Sequence, residues 1–270
     1  MRTVPDFARM KAEGRRIASL TAYDFPTALL EQEAGIDFIL VGDSIAMAVL
    51  GEETTLGATV EMMLPHVKAV RRGAPGTFVV ADMPFGSYQA SDERAVDSAV
   101  RLVAEGGADA VKLEGGSPMP LARTAAIIAS GIPVMGHVGL LPQSVRASGG
   151  YRAVGAGQAG RVMSEARALE DAGAFALVLE SVEEAIARDV TGALSIPTIG
   201  IGAGRFTDGQ ILVVNDMLGI TRGFEPRFLK RYADIGAGIT RALSDYAGEV
   251  RNGSFPEARH AYAPLEEPGK

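Results

Sequence analysis

Charged and polar side chains occur at the ends of short apolar runs, from where a side chain can reach a bound ligand. The run FILVG (38–42) is followed by Asp43 and Ser44, and the run TFVVA (77–81) is followed by Asp82. The full set of candidate site residues is Asp43, Ser44, Asp82, Lys112, Glu114, His137 and Glu180. Scattered surface polarity does not explain why single acids close otherwise apolar runs, so we expect these residues to share a site.

Asp43 and Asp82 indicate a metal. Two neighbouring carboxylates repel each other unless a cation or a proton lies between them. The chain has no cysteine and three histidines, so oxygen ligands remain. Mg²⁺ favours a few carboxylates and keeps positions for water or substrate oxygens, and it is the metal that this composition most readily binds. The alternative is that each aspartate caps a helix or forms a turn.

The stretch DAVKLEGG (109–116) places Val111 and Leu113 on one side of a strand and Lys112 and Glu114 on the other. If the strand is covered on both faces, the two charged side chains are buried and must be paired or serve chemistry. One interpretation is an ion pair with neighbouring residues. The other is a lysine that holds a substrate carboxylate and a glutamate close to the metal.

Glu180 and His137 are candidates for proton transfer and substrate contact. Glu180 follows the apolar run FALVL (175–179), and apolar surroundings raise the pKa of a carboxyl group, which makes it a better base near neutral pH. A structural turn residue is the alternative. His137 follows PVMG (133–136) and is explained equally well as a hydrogen-bonded core residue or as a substrate contact.

Eight apolar runs bounded by turn residues are the candidate strands. They are IASLTAY (17–23), FILVGDS (38–44), TFVVADMP (77–84), AVKLEGG (110–116), PVMGHVGL (133–140), FALVLES (175–181), IPTIGIGAG (196–204) and QILVVND (210–216). Strands that alternate with helices pair in parallel through right-handed crossovers. Eight such units favour a closed α/β structure, a (β/α)8 TIM barrel, over an open sheet, and the active site of that fold lies at the C-terminal strand ends.

The segment SDERAVDSAVRLVAEGG (91–107) is the clearest helix between two of these runs. The Ser91 hydroxyl can accept a hydrogen bond from a free first-turn amide, and Asp92 and Glu93 suit the positive end of the helix dipole. The two glycines at its end stop the helix. The interval between the last two runs is too short for a full helix.

Length and composition limit the class of protein, its location and its partners. The chain has 270 residues, a net charge of −7 and no run of about 18 apolar residues, and its N-terminus lacks the apolar core of a signal peptide. We therefore expect a cytoplasmic protein without a membrane segment, and the acidic charge argues against nucleic acid as its main partner. Residues 1–250 are predicted to form one barrel with an N-terminal helical segment, and residues 251–270 a peripheral tail.

Seven motifs follow one another along the chain. They are LTAYDFPTA, VGDSIAMAVLG, ADMPFGSY, VKLEGG, GHVGLLPQSV, GGYRAVG and GIGAG…DGQILVVNDMLG. Their order resembles that of the ketopantoate hydroxymethyltransferase family over roughly residues 3–250. The resemblance implies a barrel of the phosphoenolpyruvate/pyruvate-binding superfamily and a Mg²⁺-dependent enzyme. It would transfer a one-carbon unit from 5,10-methylenetetrahydrofolate to 3-methyl-2-oxobutanoate, giving 2-dehydropantoate for pantothenate synthesis, and it would be a homo-oligomer, typically a decamer.

The resemblance also implies roles for individual residues. The positions that match metal binding are Asp43, Asp82 and Glu114. The positions that match substrate binding are Asp43, Ser44, Asp82 and Lys112, to which His137 is added as a further candidate contact. Glu180 matches the proton acceptor. Glu114 is expected to act on the metal either directly or through a water molecule.

The chain departs from the family pattern at two positions. Leu141 stands where the family pattern has threonine, and Thr207 where it has cysteine. Neither position carries the expected chemistry, so the departures bear only on loop details and on folate contacts.

Three rival functions are compatible with the same residues. A Mg²⁺-dependent carbon–carbon lyase on a 2-oxo or 2-hydroxy acid would share the two aspartates and need no folate. A phosphate-binding barrel enzyme would use GIGAG (200–204). A non-catalytic binding protein would keep its role when Asp82 is replaced by alanine.

Overall fold

Eight parallel strands close into a barrel in the order of the sequence. The computed structural model describes residues 1–223 and 226–262. The strands are β1 Ile17–Thr21, β2 Phe38–Val41, β3 Phe78–Asp82, β4 Ala110–Lys112, β5 Val134–Gly139, β6 Ala176–Glu180, β7 Thr198–Ile201 and β8 Gly209–Leu212. Each predicted run overlaps one of these strands, so the predicted (β/α)8 barrel is confirmed.

Helices occupy the intervals between most strands. They are α1 Val4–Ala12, α2 Phe25–Glu33, α3 Ile45–Ala48, α4 Val60–Gly73, α5 Asp92–Val100, α6 Pro118–Ala129, α7 Val145–Ser148, α8 Ala159–Asp171, α9 Glu184–Ala193, α10 Val214–Met217 and α11 Ile235–Asn252. Ser91 caps α5 as predicted, because its Oγ accepts a hydrogen bond from the backbone N–H of Arg94 at 3.2 Å. Residues 202–208, all described, contain no helix, which confirms that this interval is too short.

Alternate side chains of each strand point into the barrel. Phe78, Val80 and Asp82 share one face of β3, and the pairing of Val80 with Ala110 and of Asp82 with Lys112 extends that face onto β4. Phe78, Val80 and Ala110 belong to the central apolar cluster. The inner face is therefore apolar where the strands begin and charged where they end.

Helix α1 closes the end of the barrel where the strands begin. Its Phe7 and Met10 are each only 2% exposed. The ring centroid of Phe7 lies 5.9 Å from that of Phe38 and 5.1 Å from that of Phe78, and the Phe78 centroid lies 5.8 Å from that of Phe175. These three pairs meet edge to face, an arrangement that aromatic rings prefer. An aromatic plug thus fills this end.

The outer faces of the strands pack against helices. Val138, Leu177 and Leu179 form one apolar cluster with side chains of α8 and α9. Val111 and Leu113 are buried and alternate with the inward-facing lysine of β4. Both sides of β4 are therefore covered, and the charged side chains of the stretch 109–116 that follow Val111 do not face water.

The described residues divide into two compact units. The first consists of residues 1–214 and 226–229 and includes all eight strands, and the second consists of residues 215–223 and 230–262. The assignment of residues 1–250 to the barrel and 251–270 to a tail stays a prediction, and residues 263–270 lie outside the described residues. None of the helices in the described part of the chain is long and apolar enough to cross a membrane.

Candidate active site

Acidic side chains from neighbouring strands meet at the C-terminal end of the barrel. Asp43 follows β2 and Asp82 ends β3, and the two are 4% and 3% exposed. The backbone N–H of Asp43 donates a hydrogen bond to Asp82 Oδ2 at 3.0 Å. Gly42 permits this approach, because a Cβ atom there would lie 3.4 Å from Asp82 Oδ2 and 2.7 Å from Ser44 Oγ. Asp43, Ser44 and Asp82 therefore converge, as the sequence predicted.

Ser44 lies in the turn that precedes α3, and a residue that follows β1 holds its hydroxyl in place. Its Oγ lies 2.8 Å from the hydroxyl of Tyr23, which follows β1. Tyr23 is itself buried. The sequence did not single out this tyrosine, which holds the serine hydroxyl beside the two aspartates.

Lys112 is the buried cation of the site. Its Nζ lies 3.0 Å from Asp82 Oδ1 and 3.3 Å from His137 Nδ1. Burial by itself lowers the pKa of this lysine, but the carboxylates of Asp82, Glu114 and Asp43 outweigh burial and raise it above the usual value. Lys112 is therefore charged at neutral pH, and it is both paired and available to attract an anion.

His137 connects the lysine to Glu180. Because an ammonium group only donates hydrogen bonds, the Nδ1 atom that faces Lys112 accepts, and a neutral ring carries its proton on Nε2. Burial, aided by the charge of Lys112, lowers the pKa of His137 and favours the neutral ring. Nε2 lies 3.3 Å from Glu180 Oε2. The Glu180 side chain is 20% exposed whereas that of His137 is 2% exposed, so Glu180 can be reached from the mouth.

Glu114 is held by Gln143, which the sequence analysis did not identify. The backbone N–H of Gln143 donates to Glu114 Oε2 at 3.0 Å, and its side-chain Nε2 donates to Asp43 Oδ2 at 2.8 Å. Glu114 Oε1 lies 3.9 Å from His137 Nδ1. Gln143 comes just after β5 in the motif GHVGLLPQSV, and its place near a strand end was the available signal.

The acidic groups strongly influence one another. Burial and, next, the charge of Asp82 raise the pKa of Asp43 to about 7. Burial and, next, the charge of Asp43 raise the pKa of Glu114 well above its usual value of 4.5. A buried cluster with several carboxyl groups and one lysine favours a further cation or a bound proton.

The donor set fits a Mg²⁺ ion at Asp43 and Asp82. Asp82 Oδ1 is buried and makes no hydrogen bond with the described residues, although the ammonium of Lys112 lies beside it. Within residues 1–223 and 226–262, no three histidine or acidic side chains already converge as a metal site. Mg²⁺ needs only one or two carboxylates when water and substrate complete its shell. A role for Glu114 as a ligand stays a prediction.

The two residues that depart from the family pattern both lie in loops. Leu141 packs in the loop after β5, where its Cδ1 lies 3.6 Å from the position of a Cβ on Gly115. Thr207 is 1% exposed, and its Oγ1 donates to the carbonyl oxygen of Gly209 at 2.8 Å. Both side chains therefore shape the loops in which they lie.

Comparison with solved structures supports the class of fold. Phosphonopyruvate hydrolase, in its complex with oxalate and Mg²⁺, is 16% identical with a TM-score of 0.62 over 98% of this chain and 93% of that chain. 2,3-Dimethylmalate lyase, a member of the PEP mutase/isocitrate lyase superfamily, is 17% identical with a TM-score of 0.61 over 93% of this chain and 88% of that chain. At this identity the likeness shows the fold alone, a closed (β/α)8 barrel that this chain shares with both enzymes.

Sequence comparison identifies the family within that class. The model of the ketopantoate hydroxymethyltransferase family matches residues 1–258. The 3-methyl-2-oxobutanoate hydroxymethyltransferase of Thermoanaerobacter sp. (strain X514) is 52% identical over 256 residues, 94% of this chain and 93% of the relative. The enzyme of the same name from Moorella thermoacetica is 51% identical over 96% of this chain and 97% of the relative. The chain belongs to the ketopantoate hydroxymethyltransferase family and is an enzyme.

Proposed function

We propose that this chain transfers a hydroxymethyl group from 5,10-methylenetetrahydrofolate to 3-methyl-2-oxobutanoate, which gives 2-dehydropantoate in pantothenate biosynthesis. The observation that carries the proposal is a line of contacts at the mouth, in which Asp82, Lys112, His137 and Glu180 follow one another at 3.0 to 3.3 Å. It joins a buried cation, which can bind an anionic substrate, to an accessible carboxylate, which can take a proton.

Lys112 and Ser44 bind the carboxylate of the oxo acid. The ammonium supplies the charge, and the hydroxyl, fixed by Tyr23 at 2.8 Å, supplies a directed donor. Holding that end of the substrate orients C3 towards the base and lowers the entropic part of the barrier. A Mg²⁺ ion at Asp43 and Asp82 would supply Lewis-acid stabilisation of the negative charge that develops on the oxo acid.

Glu180 takes the proton from C3 of the oxo acid. The electron pair that this releases forms the new bond to the methylene carbon of the folate as one of that carbon's two bonds to nitrogen breaks. Water then displaces the second nitrogen and supplies the hydroxyl oxygen of the product, and the two folate nitrogens take up the proton held by Glu180 and a proton of the water. His137 Nε2 has no hydrogen-bond partner among the described residues and lies 3.3 Å from Glu180 Oε2, from where it can orient the carboxylate when the substrate is bound. The partial exposure of Glu180 supports this role because both substrates must reach the base.

The loop after β5 supports binding of a planar, anionic second substrate. Tyr151 is 49% exposed, and its hydroxyl lies 3.9 Å from Met47 Sδ. Desolvation and, next, the charge of Glu180 raise the pKa of Tyr151. Arg146 and Arg152 are exposed in a segment, residues 144–158, that has no acidic residue. An aromatic ring beside positive charge suits the pterin and glutamate parts of a folate.

Deuterium exchange tests the role of Glu180. With Glu180→Gln we expect exchange of the C3 proton of 3-methyl-2-oxobutanoate with solvent deuterium, followed by NMR, to slow by about 10²- to 10⁴-fold, because the amide cannot accept the proton. The control is Glu183→Gln, which removes an exposed carboxylate three residues further along the chain and should leave exchange unchanged. Exchange at the wild-type rate in Glu180→Gln would remove Glu180 from the mechanism.

A Mg²⁺-dependent carbon–carbon lyase is the second candidate, and the similarity of the fold to 2,3-dimethylmalate lyase favours it. The two functions differ in their need for folate. Incubation with the oxo acid and methylene-labelled folate should place the label in the product. Cleavage of a 2-hydroxy acid without any transfer of label would support the lyase.

Further expectations about partners and location belong to the same proposal. We propose a homo-oligomer, a decamer by family resemblance, that acts on small molecules in the cytoplasm. Light scattering of the purified chain measures the subunit number, and any value other than ten contradicts the decamer.

A further inference from the structure

Gln143 lies between two carboxylates at the mouth and contacts both. Its side chain is at the centre of a buried group of polar contacts in which Nε2 donates to Asp43 Oδ2 at 2.8 Å and to the carbonyl oxygen of Met83 at 3.0 Å. The hydroxyl of Tyr88 donates to Oε1 at 2.7 Å. Both amide hydrogens and the amide oxygen are thus in use.

These contacts allow only one orientation of the carboxamide. The Asp43 carboxylate and the Met83 carbonyl are acceptors, so a reversed amide would place Oε1 against two other oxygens. Tyr88, 2% exposed, is a buried donor to the amide oxygen. The tyrosine thereby fixes the amide, and the amide fixes which oxygen of Asp43 is occupied.

Tyr88 is itself held firmly. Arg123 Nε of α6 donates to the backbone oxygen of Tyr88 at 3.1 Å, and Ser98 of α5 donates to the adjacent carbonyl of Ser87 at 2.8 Å. Gln143 meanwhile holds Glu114 through its backbone N–H. These contacts therefore connect the segments that follow β2, β3, β4 and β5.

We propose that Gln143, held in place by Tyr88, is a positioning residue for the metal and substrate site. It holds Asp43 through Oδ2, which would leave Oδ1 as the oxygen for the cation, and it holds Glu114 through its backbone N–H. A neutral donor is needed here, because a carboxylate would add negative charge to the cluster and an apolar side chain would leave Asp43, Met83 and Tyr88 without their partner. The inference rests on the proposed function in that the cation is the Mg²⁺ of that reaction.

Calorimetric titration of the purified chain with MgCl₂ in the absence of either substrate tests the inference. Gln143→Leu should weaken Mg²⁺ binding by about 10- to 100-fold, the usual effect of losing a residue that orients a metal ligand. Tyr88→Phe should weaken it less. The matched control is Gln158→Leu, an exposed glutamine in the same interval, which should bind Mg²⁺ like the wild type.

A double variant separates positioning from general damage. If Tyr88 acts through Gln143, Tyr88→Phe should weaken Mg²⁺ binding in the wild type and have no further effect in the Gln143→Leu background. Additive effects would overturn the link between the two residues. Should Gln143→Leu fail to fold, Gln143→Met replaces it, and the same loss of Mg²⁺ affinity is expected because the donor to Asp43 is gone and no charge is added.

The Mg²⁺-binding test and the label-transfer test can fail independently of each other. If no label passes from folate to product but Gln143→Leu still weakens Mg²⁺ binding, the proposed reaction is wrong and the positioning role stands. If label passes and both variants bind Mg²⁺ like the wild type, the positioning role is wrong and the reaction stands. A wild-type chain that binds no Mg²⁺ overturns the inference as stated.

Discussion

The two ends of the barrel are built on the same faces of the same strands, yet they differ in almost every physical respect. On β3 the inward side chains run from Phe78 through Val80 to Asp82. The end where the strands begin is closed by α1 with the aromatic plug around Phe7. The other end gathers buried carboxyl groups around Lys112.

Within a few residues of the same strand, one end of the barrel therefore contributes to stability and the other end supplies the reactive groups. Burying a large apolar side chain stabilises the fold by about 1.5–3 kcal/mol, so the aromatic plug contributes to stability. Buried charges of like sign work against folding unless a cation or proton compensates. We therefore expect substitutions at the two ends to affect different measurements.

The largest effect is expected from removing one charge at the mouth. Asp82→Asn keeps the size of the side chain and an oxygen for the backbone N–H of Asp43, but it removes the charge beside Lys112. We expect kcat/KM to fall roughly 10³-fold, which corresponds to about 4 kcal/mol of transition-state stabilisation. The free energy of unfolding should change by less than about 1 kcal/mol. The pair with Lys112 is weakened, but the repulsion between Asp82 and Asp43 is relieved at the same time.

Steady-state kinetics and urea unfolding of the same preparations measure both quantities. Asp97→Asn is the matched control, since Asp97 is exposed on α5, and it should change neither. A loss of several kcal/mol of stability in Asp82→Asn would mean that the charged mouth holds the fold together, and the comparison of the two ends would fail.

A substitution in the aromatic plug should have the converse effect. Phe7→Ala removes a ring that touches the rings of Phe38, Phe78 and Phe175. We expect a loss of about 3–5 kcal/mol in the free energy of unfolding, because the cavity adds to the lost burial. Phe7 lies at the opposite end from the charged side chains, so kcat and KM of the folded enzyme should stay at wild-type values.

Thermal unfolding and kinetics below the melting transition measure this outcome. Phe25→Ala makes the same chemical change at a ring that is 46% exposed, and it should leave stability nearly unchanged. Loss of activity in fully folded Phe7→Ala enzyme would show that the plug acts on the site as well as on stability.

The charged end of the barrel was predictable from the sequence, because the alternation of side chains along a strand is a local signal. In DAVKLEGG (109–116) the alternation, together with a parallel sheet that is covered on both faces, requires Lys112 and Glu114 to lie inside. The strand-end positions of Asp43 and Asp82 follow from the same logic. Their shared location needed only the rule that parallel strands end on one side of a barrel.

The loop residues were not predictable in this way. Gln143 bonds to Tyr88 and to Asp43 across 55 and 100 positions of the chain, and the conformation of each loop decides whether these atoms meet. A glutamine and a tyrosine in loops carry no periodic signal. The sequence also did not reveal Glu31, which lies in a helix and is nevertheless buried.

Glu31 sharpens the comparison because it is a buried carboxyl group that serves neither end. It lies on the same face of α2 as the buried Ala28, and neither of its carboxyl oxygens has a hydrogen-bond partner among the described residues. Burial and, next, the charge of Asp24 raise the pKa of Glu31 to about 8. The carboxyl groups of the mouth differ from it in having Lys112 among them.

The raised pKa predicts a pH dependence of stability with a definite sign. Below the usual carboxyl pKa of 4.5 both the folded and the unfolded chain are protonated at Glu31, and its stabilising effect is fully present. As the pH rises towards 8, the unfolded chain ionises first, so stability is lost at up to about 1.4 kcal/mol per pH unit. Glu31→Gln should abolish this loss and gain about 2 kcal/mol on the wild type between pH 5 and 7.

Urea unfolding at pH 5, 6 and 7, at one fixed protein concentration, measures the difference between the two chains. The carboxyl groups of the mouth titrate in both chains and cancel, so the difference isolates Glu31. Glu33→Gln, an exposed neighbour on α2, should follow the wild type. If Glu31→Gln also follows it at all three pH values, Glu31 is ionised in the folded state, and burial of a carboxyl group away from the mouth costs this fold little.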